Sequence, residues 1–491
     1  MPSKKVIVIG SGFAGLSTAS FMAKEGWDVT VIEKNEGPGG RASQWKEKGF
    51  IFDKGPSFYW MPDVFERYFA QFGKNVADYY KLTRLDPSYR IYWNDGFTDI
   101  PADIDELKIL FESLEPGSAE KLEQYLKGAA YKYEVGMNKL VYKPGRSLTE
   151  FMDWETISGV MKLDVFTSIK KHIYKYFKHP KLRQLMEFPV LFLGALPKDT
   201  PALYSLMNYA DIKGGTWYPE GGMYAVVDGM YRLAKELGVQ FLFSENVQEI
   251  IIENGKAKTI VTDKNSYVAD AVISGADYHF TETALLPQKY RSYSDSYWDK
   301  RVMAPSCLLY YIGLNKKLKN VAHHSLFFDV PFEEHGKEIY STPQWPTSPL
   351  FYVSIPSVSD SSVAPQGCES LVFLIPVAAG LDGDTEELRE KYYKIITERM
   401  ERHIGETFTE NVICKKSYSV RDFVHEYNSF RGNAYGLANT LMQTALLRPS
   451  CKSKKLANVF YTGQLTVPGP GVPPSLISGE VVAKQVIKTL G

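Results

Sequence analysis

Only four cysteines occur in the 491 residues, Cys307, Cys368, Cys414 and Cys451, and no two of them form a C-x-x-C pair. That scarcity excludes a compact zinc motif and a disulfide framework, and it fits a reducing cytoplasm. Excess charge of either sign is also absent. Lys plus Arg number 57 and Asp plus Glu 57, so nothing marks a general nucleic-acid surface. No apolar run reaches the length of a membrane span; the most membrane-like one, Phe188 to Leu196 (FPVLFLGAL), falls well short. The amino terminus shows no secretory pattern, because its apolar stretch is short and belongs to the motif described next. Among the eight histidines no Ser/His/Asp constellation and no metal cluster stands out, so a protein nucleophile and a metal centre are not expected.

Aromatic residues, by contrast, are plentiful at 14%, with 32 Tyr and 27 Phe, enough for large apolar pockets as well as cores. The length exceeds what one core organises, so two domains are expected. The most informative stretch is Lys4 to Arg41. Val6 to Ile9 is a β-branched run suited to a buried parallel strand, and the spacing Gly10, Gly12, Gly15 follows at once. Leu16 to Ala23 then reads as a helix and Val29 to Ile32 as a second strand ending in Glu33. This βαβ unit is the pattern of a dinucleotide site. Gly10 permits the tight turn, Gly12 lets a pyrophosphate approach the backbone, and Gly15 lets the helix lie close on the strand. Amides at the helix start, including those of Phe13 and Ala14, face the phosphates with the positive end of the dipole behind them. Glu33, with Lys34 beside it, stands where a carboxylate accepts both hydroxyls of an adenosine ribose, which disfavours a phosphorylated ribose.

Gly37, Gly39 and Gly40 lead into Arg41 and Ala42. Here the stretch resembles the GG-doublet flavoproteins, which include amine oxidases, protoporphyrinogen oxidases and carotenoid desaturases; the resemblance implies that the doublet and Arg41 contact FAD. The same resemblance places Gly55, Pro56 and Ser57 beneath the flavin ring, and has the main chain at Val247 meet the adenine. Near the carboxyl end, LANVFYTGQLTVPGPGVPPSLISGE reads as a strand through Val459 to Tyr461, a loop with Gly463, Gly469 and Gly471, and a helix from about Ser475. Pro473 and Pro474 suit a helix entrance, where a missing amide proton costs little. This segment resembles the carboxyl-terminal signature of bacterial-type carotenoid desaturases, the phytoene desaturase family, and implies flavin contacts at Gly463, Gly471, Val472, Pro473 and Ser475. Gln464, Leu465, Val467 and Pro470 depart from the smaller or more polar residues of that signature.

Between these ends, Asp63 to Phe72 reads as an amphipathic helix, Ile91 to Ile100 as a hairpin turning at Asn94, Asp95 and Gly96, and Asp105 to Tyr142 and Ser147 to Tyr176 as mostly helical. Gly221 and Gly222 precede a helix over Val226 to Leu237. Strands are expected at Val239 to Phe243, Val247 to Glu253, Ala257 to Thr262, Val268 to Asp270 and Ala271 to Ala276. Further apolar strands, Met303 to Leu314 and Ser370 to Pro376, with Leu326 to Phe332 and Leu350 to Ile355, fit a sheet flooring a substrate cavity. Glu386 to Ile404 is an amphipathic helix with acids first and bases last. Ser168 to Pro197 interleaves Lys170, Lys171, Lys175, Lys178, Lys181 and Arg183 with aromatic and aliphatic residues, as would a segment lying on an anionic bilayer; a solvated basic helix is the other reading.

The expected fold is α/β: a Rossmann-like FAD-binding domain (1–75, 214–290 and 451–491) with an inserted mixed-sheet and helical substrate domain (76–213 and 291–450). The resemblance implies FAD-dependent desaturation of a long linear carotenoid, phytoene first, by hydride transfer and proton loss. A hydroxylated carotenoid of the 3,4 type or diapophytoene is the near alternative. An amine or porphyrinogen oxidase and a flavin-free prenyl-lipid escort protein are the alternatives from other classes. An apolar polyene is selected by channel shape, for which Phe58, Tyr59, Trp60, Phe188, Phe192 and Trp217 are the candidate walls. The expected location is the cytoplasmic membrane face, as a peripheral protein; oligomeric state and proton acceptor are left open.

Overall fold

Lys5–Ile9 (KVIVI) is buried along all but its first residue, as a strand covered on both faces must be. In the computed structural model, which describes residues 3–145, 164, 166–191 and 194–491, it is the centre of a five-stranded parallel sheet. The order across that sheet is Val459–Tyr461, Ala271–Ser274, Lys5–Ile9, Asp28–Ile32 and Gln240–Leu242. Strands remote in sequence are thus hydrogen-bonded neighbours: Val6 to Ile9 pair with Ala271 to Ser274, which pair in turn with Val459 to Tyr461.

The first helix, Phe13–Lys24, packs against the last, Val472–Leu490. Small residues allow the approach. A Cβ on Gly479 would meet Ser17 Cβ at 2.5 Å, and Ser17 Oγ donates to the Leu476 carbonyl at 2.8 Å. The last helix begins at Val472, three residues earlier than expected. Gly471 (φ +110°) turns the chain into it, and Pro473 and Pro474 occupy its first turn, where no amide proton is needed.

A second, seven-stranded sheet runs Val412–Tyr418, Ser306–Leu314, Glu369–Val377, Phe351–Ser354, His324–Phe327, Tyr89–Trp93 and Gly96–Ile100. Its pairs are antiparallel except His324–Phe327 with Tyr89–Trp93. The hairpin over Ile91 to Ile100 forms as expected. Val412–Tyr418 was not foreseen, because Lys415 and Lys416 mask its β pattern; paired on one side only, it is an edge, where lysines discourage further pairing. Pro305 delays the strand expected from Met303 until Ser306.

The basic segment folds as helices Ile169–Tyr176 and Pro180–Leu191. Its apolar side chains turn inward: Ile169, Ile173, Phe177, Leu182, Phe188 and Val190 are buried. Lys170 pairs with Glu333, and Lys181 with Asp95 at 2.7 Å. The apolar half of the expected bilayer face therefore belongs to the core, while Lys171, Lys175 and Lys178 remain exposed. Residues 147–163 and 165 of the expected helical stretch, and Phe192, lie outside the described residues. Among the described residues no helix is long and apolar enough to cross a membrane.

Candidate active site

One continuous cavity of about 470 Å³ runs from the first glycine loop to the second sheet. Gly10, Gly12, Phe13, Ala14, Glu33, Lys34, Gly39, Gly40, Arg41, Gly55, Pro56, Ser57, Val247, Gly463, Gly471, Val472, Pro473 and Ser475 all line it. Gly15 does not. A Cβ there would lie 2.0 Å from the Gly10 carbonyl oxygen, so this glycine serves the packing of helix on strand.

The local geometry is that of an anion cradle. Nothing lies within 4 Å of a Cβ built on Gly12, and no side chain caps the helix that follows, so its first amides open on the cavity. Gly39 and Gly40 have φ of +115° and +53°, and a Cβ on Gly40 would stand 3.5 Å from Gly12 Cα, so the doublet lies against the first loop. Glu33 is buried; its Oε2 accepts from Ser11 N and Oγ at 2.8 Å and its Oε1 from Asn35 N at 3.0 Å. A carboxylate has about four acceptor sites, so these bonds fix its orientation and leave capacity for a ligand hydroxyl.

Arg41 reaches Ser429 Oγ (2.9 Å) and the Asn433 carbonyl (3.2 Å), while its buried Nε has no hydrogen-bond partner among the described residues. Burial lowers its pKa, opposed by the Asp277 carboxylate. Asp277 is itself pushed up by burial, against hydrogen bonds from the Phe430 and Phe280 amides. An orphaned guanidinium nitrogen, a methyl-free glycine and uncapped helix amides together match the demands of a dinucleotide diphosphate.

The opposite end of the cavity is greasy. Phe58, Trp60 and Phe188 wall it, joined by Phe328, Phe332 and Leu196. Phe58 contacts Trp60 (5.1 Å between centroids) and Phe188 (6.1 Å). Tyr59 and Trp217, also expected at this wall, lie outside it. They pair across an extended bridge, where successive side chains alternate. Phe58 and Trp60 point into the cavity, whereas Tyr59 hydrogen-bonds Tyr80 at 2.9 Å and stacks on Phe65. Trp217 donates to the Gly214 carbonyl and sits against Arg84.

Several lining residues were not singled out from sequence. Glu426, Tyr427 and Asn428 come from the end of helix Val420–Tyr427, Ala434 and Tyr435 from the loop beyond, and Cys307, Leu309, Tyr352 and Leu374 from the second sheet. For Asp277 a local signal exists: it follows a buried strand and caps the next helix, accepting from the Phe280 amide at 3.1 Å. The charged lining residues, Glu33, Lys34, Arg41, Glu245, Asp277 and Glu426, all belong to the nucleotide-binding pattern and its surroundings. Among the described residues the aromatic end has no Asp, Glu, Lys or Arg in its wall.

Comparison with known proteins agrees with this division. Residues 13–487 match the model of the family described as flavin containing amine oxidoreductase. Over the whole chain, the sequence is 41% identical to carotenoid 3,4-desaturase of Haloarcula japonica, covering 99% of that protein. It is 29% identical to the zeta-carotene-forming phytoene desaturase of Myxococcus xanthus, over 99% of this chain and 94% of the relative. The fold is shared with an oxidoreductase from Methanosarcina mazei (TM-score 0.64, 17% identity, 98% of this chain and 100% of that one). The chain therefore belongs to the flavin containing amine oxidoreductases, among their carotenoid desaturases, and is an FAD-dependent oxidoreductase.

Proposed function

We propose that this enzyme introduces a 3,4-type double bond into a hydroxylated linear carotenoid, in preference to desaturating phytoene. The observation that carries this reading is the gap in full-length identity, 41% to a carotenoid 3,4-desaturase against 29% to a phytoene desaturase. In this reading Gly10, Gly12, the Phe13 and Ala14 amides, Glu33, Lys34, Gly39, Gly40, Arg41 and Val247 hold the adenosine diphosphate of FAD. Gly55, Pro56, Ser57, Gly463, Gly471, Val472, Pro473 and Ser475 hold its ring end. Bound there, FAD supplies the two-electron acceptor for a hydride.

The chain's own contribution is placement and dryness. Phe58, Trp60 and Phe188 orient a substrate that offers almost no polar handle, and their rings face the positive charge that develops when hydride leaves. The start of helix Val472–Leu490 opens on the cavity, so its dipole favours negative charge there. An amine substrate would ask for a carboxylate at the aromatic end, and among the described residues the wall supplies none. Segments 1–75, 214–290 and 451–491 act as the cofactor unit and 76–213 with 291–450 as the substrate unit; the five-stranded sheet draws only on the former and the seven-stranded sheet only on the latter. Purified enzyme offered phytoene and an acyclic hydroxylated carotenoid in parallel should remove two hydrogens from the second and leave the first unchanged, read by pigment absorbance and mass. Conversion of phytoene alone would reject the 3,4 reading in favour of the alternative.

Such substrates reside in bilayers, and peripheral docking through the exposed Lys171, Lys175 and Lys178 is part of the proposal. Charge reversal at all three should lower the partition coefficient onto phosphatidylglycerol vesicles by about a hundredfold or more, at roughly 1 kcal/mol per lysine. Unchanged co-sedimentation would refute this docking face.

A further inference from the structure

Desaturation removes a proton as well as a hydride, and the cavity holds one route for it. We propose that Tyr352 takes the proton released by the substrate and passes its own phenol hydrogen to His324. This rests on the desaturase reading of the site. Tyr352, on Phe351–Ser354, lines the cavity, and its hydroxyl lies 2.6 Å from His324 Nδ1 on the neighbouring strand. Since His324 pairs with Ser354 and Leu326 with Tyr352, the two side chains are diagonal neighbours on one face of the sheet. Phe58, beside Ser57 of the expected flavin-contact stretch, stacks on the His324 ring at 4.1 Å and lies 5.3 Å from Tyr352.

Ser57 and Ser354 flank the phenol oxygen and favour its charged form, and the relay requires the phenol hydrogen to point at Nδ1, with His324 the Nε2–H tautomer. His324 is wholly buried, and its Nε2 has no partner among the described residues. Burial and the adjoining His323 hold its pKa well below the ordinary histidine value, so it is neutral when the substrate arrives and quick to give up a proton afterwards. The ring of His323 stands 4.4 Å away; its Nδ1 is 3.0 Å from Ser359 Oγ, and Tyr218 and Asp360 face it from outside. Ser359 is exposed, so His323 stands between His324 and solvent, in ring contact with His324 and with no hydrogen bond joining the two imidazoles among the described residues.

Other titratable groups at the aromatic end are already committed. His335 donates from Nε2 to the Pro376 carbonyl (2.8 Å) and accepts at Nδ1 from the Leu350 amide (3.0 Å), which leaves no lone pair. Tyr435 and Cys307 bond each other, and Tyr340 has no basic neighbour among the described residues to receive its hydrogen. A weak base is sufficient, because an allylic cation is a far stronger acid than imidazolium. Once the hydride has gone to the flavin, the adjacent C–H bond breaks and its electron pair becomes the second bond of the alkene. Its proton goes to Tyr352 Oη, and the phenol hydrogen to His324 Nδ1. The substrate has then lost a hydride and a proton, and the proton rests on the His324 imidazolium.

Tyr352→Phe and His324→Gln test this in the FAD-loaded full chain, with the carotenoid that wild type converts. Both should keep flavin content and melting temperature yet lose about a hundredfold in alkene formation. The water adduct of the cation should appear among the products, a signature that a purely structural role would not create. Wild-type rate and products in either folded variant would overturn the proposal. Neutron diffraction on the wild-type protein is independent of folding in the variants and of substrate identity: deuterium on Nε2 and none on Nδ1 of His324 supports the relay, and deuterium on Nδ1 overturns it. A wild-type enzyme that desaturates no carotenoid would instead remove the desaturase reading, leaving the tautomer to be decided by diffraction.

Discussion

Gly15→Ala is expected to destabilise the fold around FAD, whereas Gly12→Ala should keep wild-type stability and lose only cofactor affinity. The two glycines are three residues apart in one motif and face different obstacles. A methyl group on Gly15 would lie 2.0 Å from the Gly10 carbonyl oxygen and 3.0 Å from its carbon, both backbone atoms of a turn hydrogen-bonded to the sheet through Gly10 N and the Ile32 carbonyl (2.8 Å). Neither side can yield without moving helix Phe13–Lys24 off the strand. The cost is about 3 kcal/mol or more, enough to lower the melting temperature by several degrees and the soluble yield with it. At Gly12 a methyl meets open space and φ is −71°, an ordinary value for alanine. Its penalty arises only when a diphosphate approaches: about 2 kcal/mol, a loss of affinity of some tens-fold. Excess FAD should reload Gly12→Ala and not Gly15→Ala, as read by flavin absorbance per chain and by melting of the apoprotein. Identical behaviour of the two variants would sink the division of labour between them.

Arg448→Met should be the other large effect, although Arg448 does not itself line the cavity. Its guanidinium is buried and ends in carbonyls and an amide: Thr466 O (3.0 Å), Gln443 O (3.1 Å), Asn439 Oδ1 (3.2 Å), Leu437 O (2.9 Å) and Gln464 O (3.4 Å). It thereby ties the 437–443 stretch to the loop that carries Gly463, Gly471 and the cavity-lining Gln464. Burial without a carboxylate among those partners lowers its pKa to about 10, still charged at neutral pH. Methionine fills the space of the stem and leaves those acceptors without a donor. At about 1–3 kcal/mol for each buried group that stays unsatisfied, the expected loss is roughly 3–5 kcal/mol, accompanied by weakened FAD retention. Lysine should rescue only in part, since an ammonium cannot span acceptors on both sides of a planar fork. Flavin content and a melting curve close to wild type in Arg448→Met would show that the loop stands without this clasp.

What could be read from sequence was what lies within one supersecondary unit. The first strand, glycine spacing, helix and Glu33 report on one another over fewer than forty residues, so most of the cavity lining there was legible, although Ile9, Ile32, Asn35 and Ala42 also line it and Gly15 does not. Phe58 and Trp60 were legible because they adjoin that pattern; Tyr59 between them required knowing that Trp217 bridges it and imposes alternation. Arg448 and the Tyr352–His324 pair carry no local mark. Each is defined by strands or loops that meet only after the second sheet closes, as when His324–Phe327 joins both Phe351–Ser354 and Tyr89–Trp93. In the basic segment the sequence pattern left two readings, and the structure gives the apolar side a partner in the core while Lys171, Lys175 and Lys178 stay exposed.

The seat of the first helix against Val472–Leu490 has a consequence for how the enzyme is made. On a ribosome adding about 5–20 residues per second, the opening nucleotide loop waits roughly 20–90 s before the segment that completes its housing leaves the exit tunnel. Throughout that interval Leu16, Ala19 and the small face around Ser17 lack their permanent cover, and the nascent chain depends on chaperone shelter or a provisional collapse. Flavin capture thus becomes a checkpoint on synthesis of the segment Val472–Leu490: a chain cut before Val472 yields a colourless product rather than a weaker desaturase.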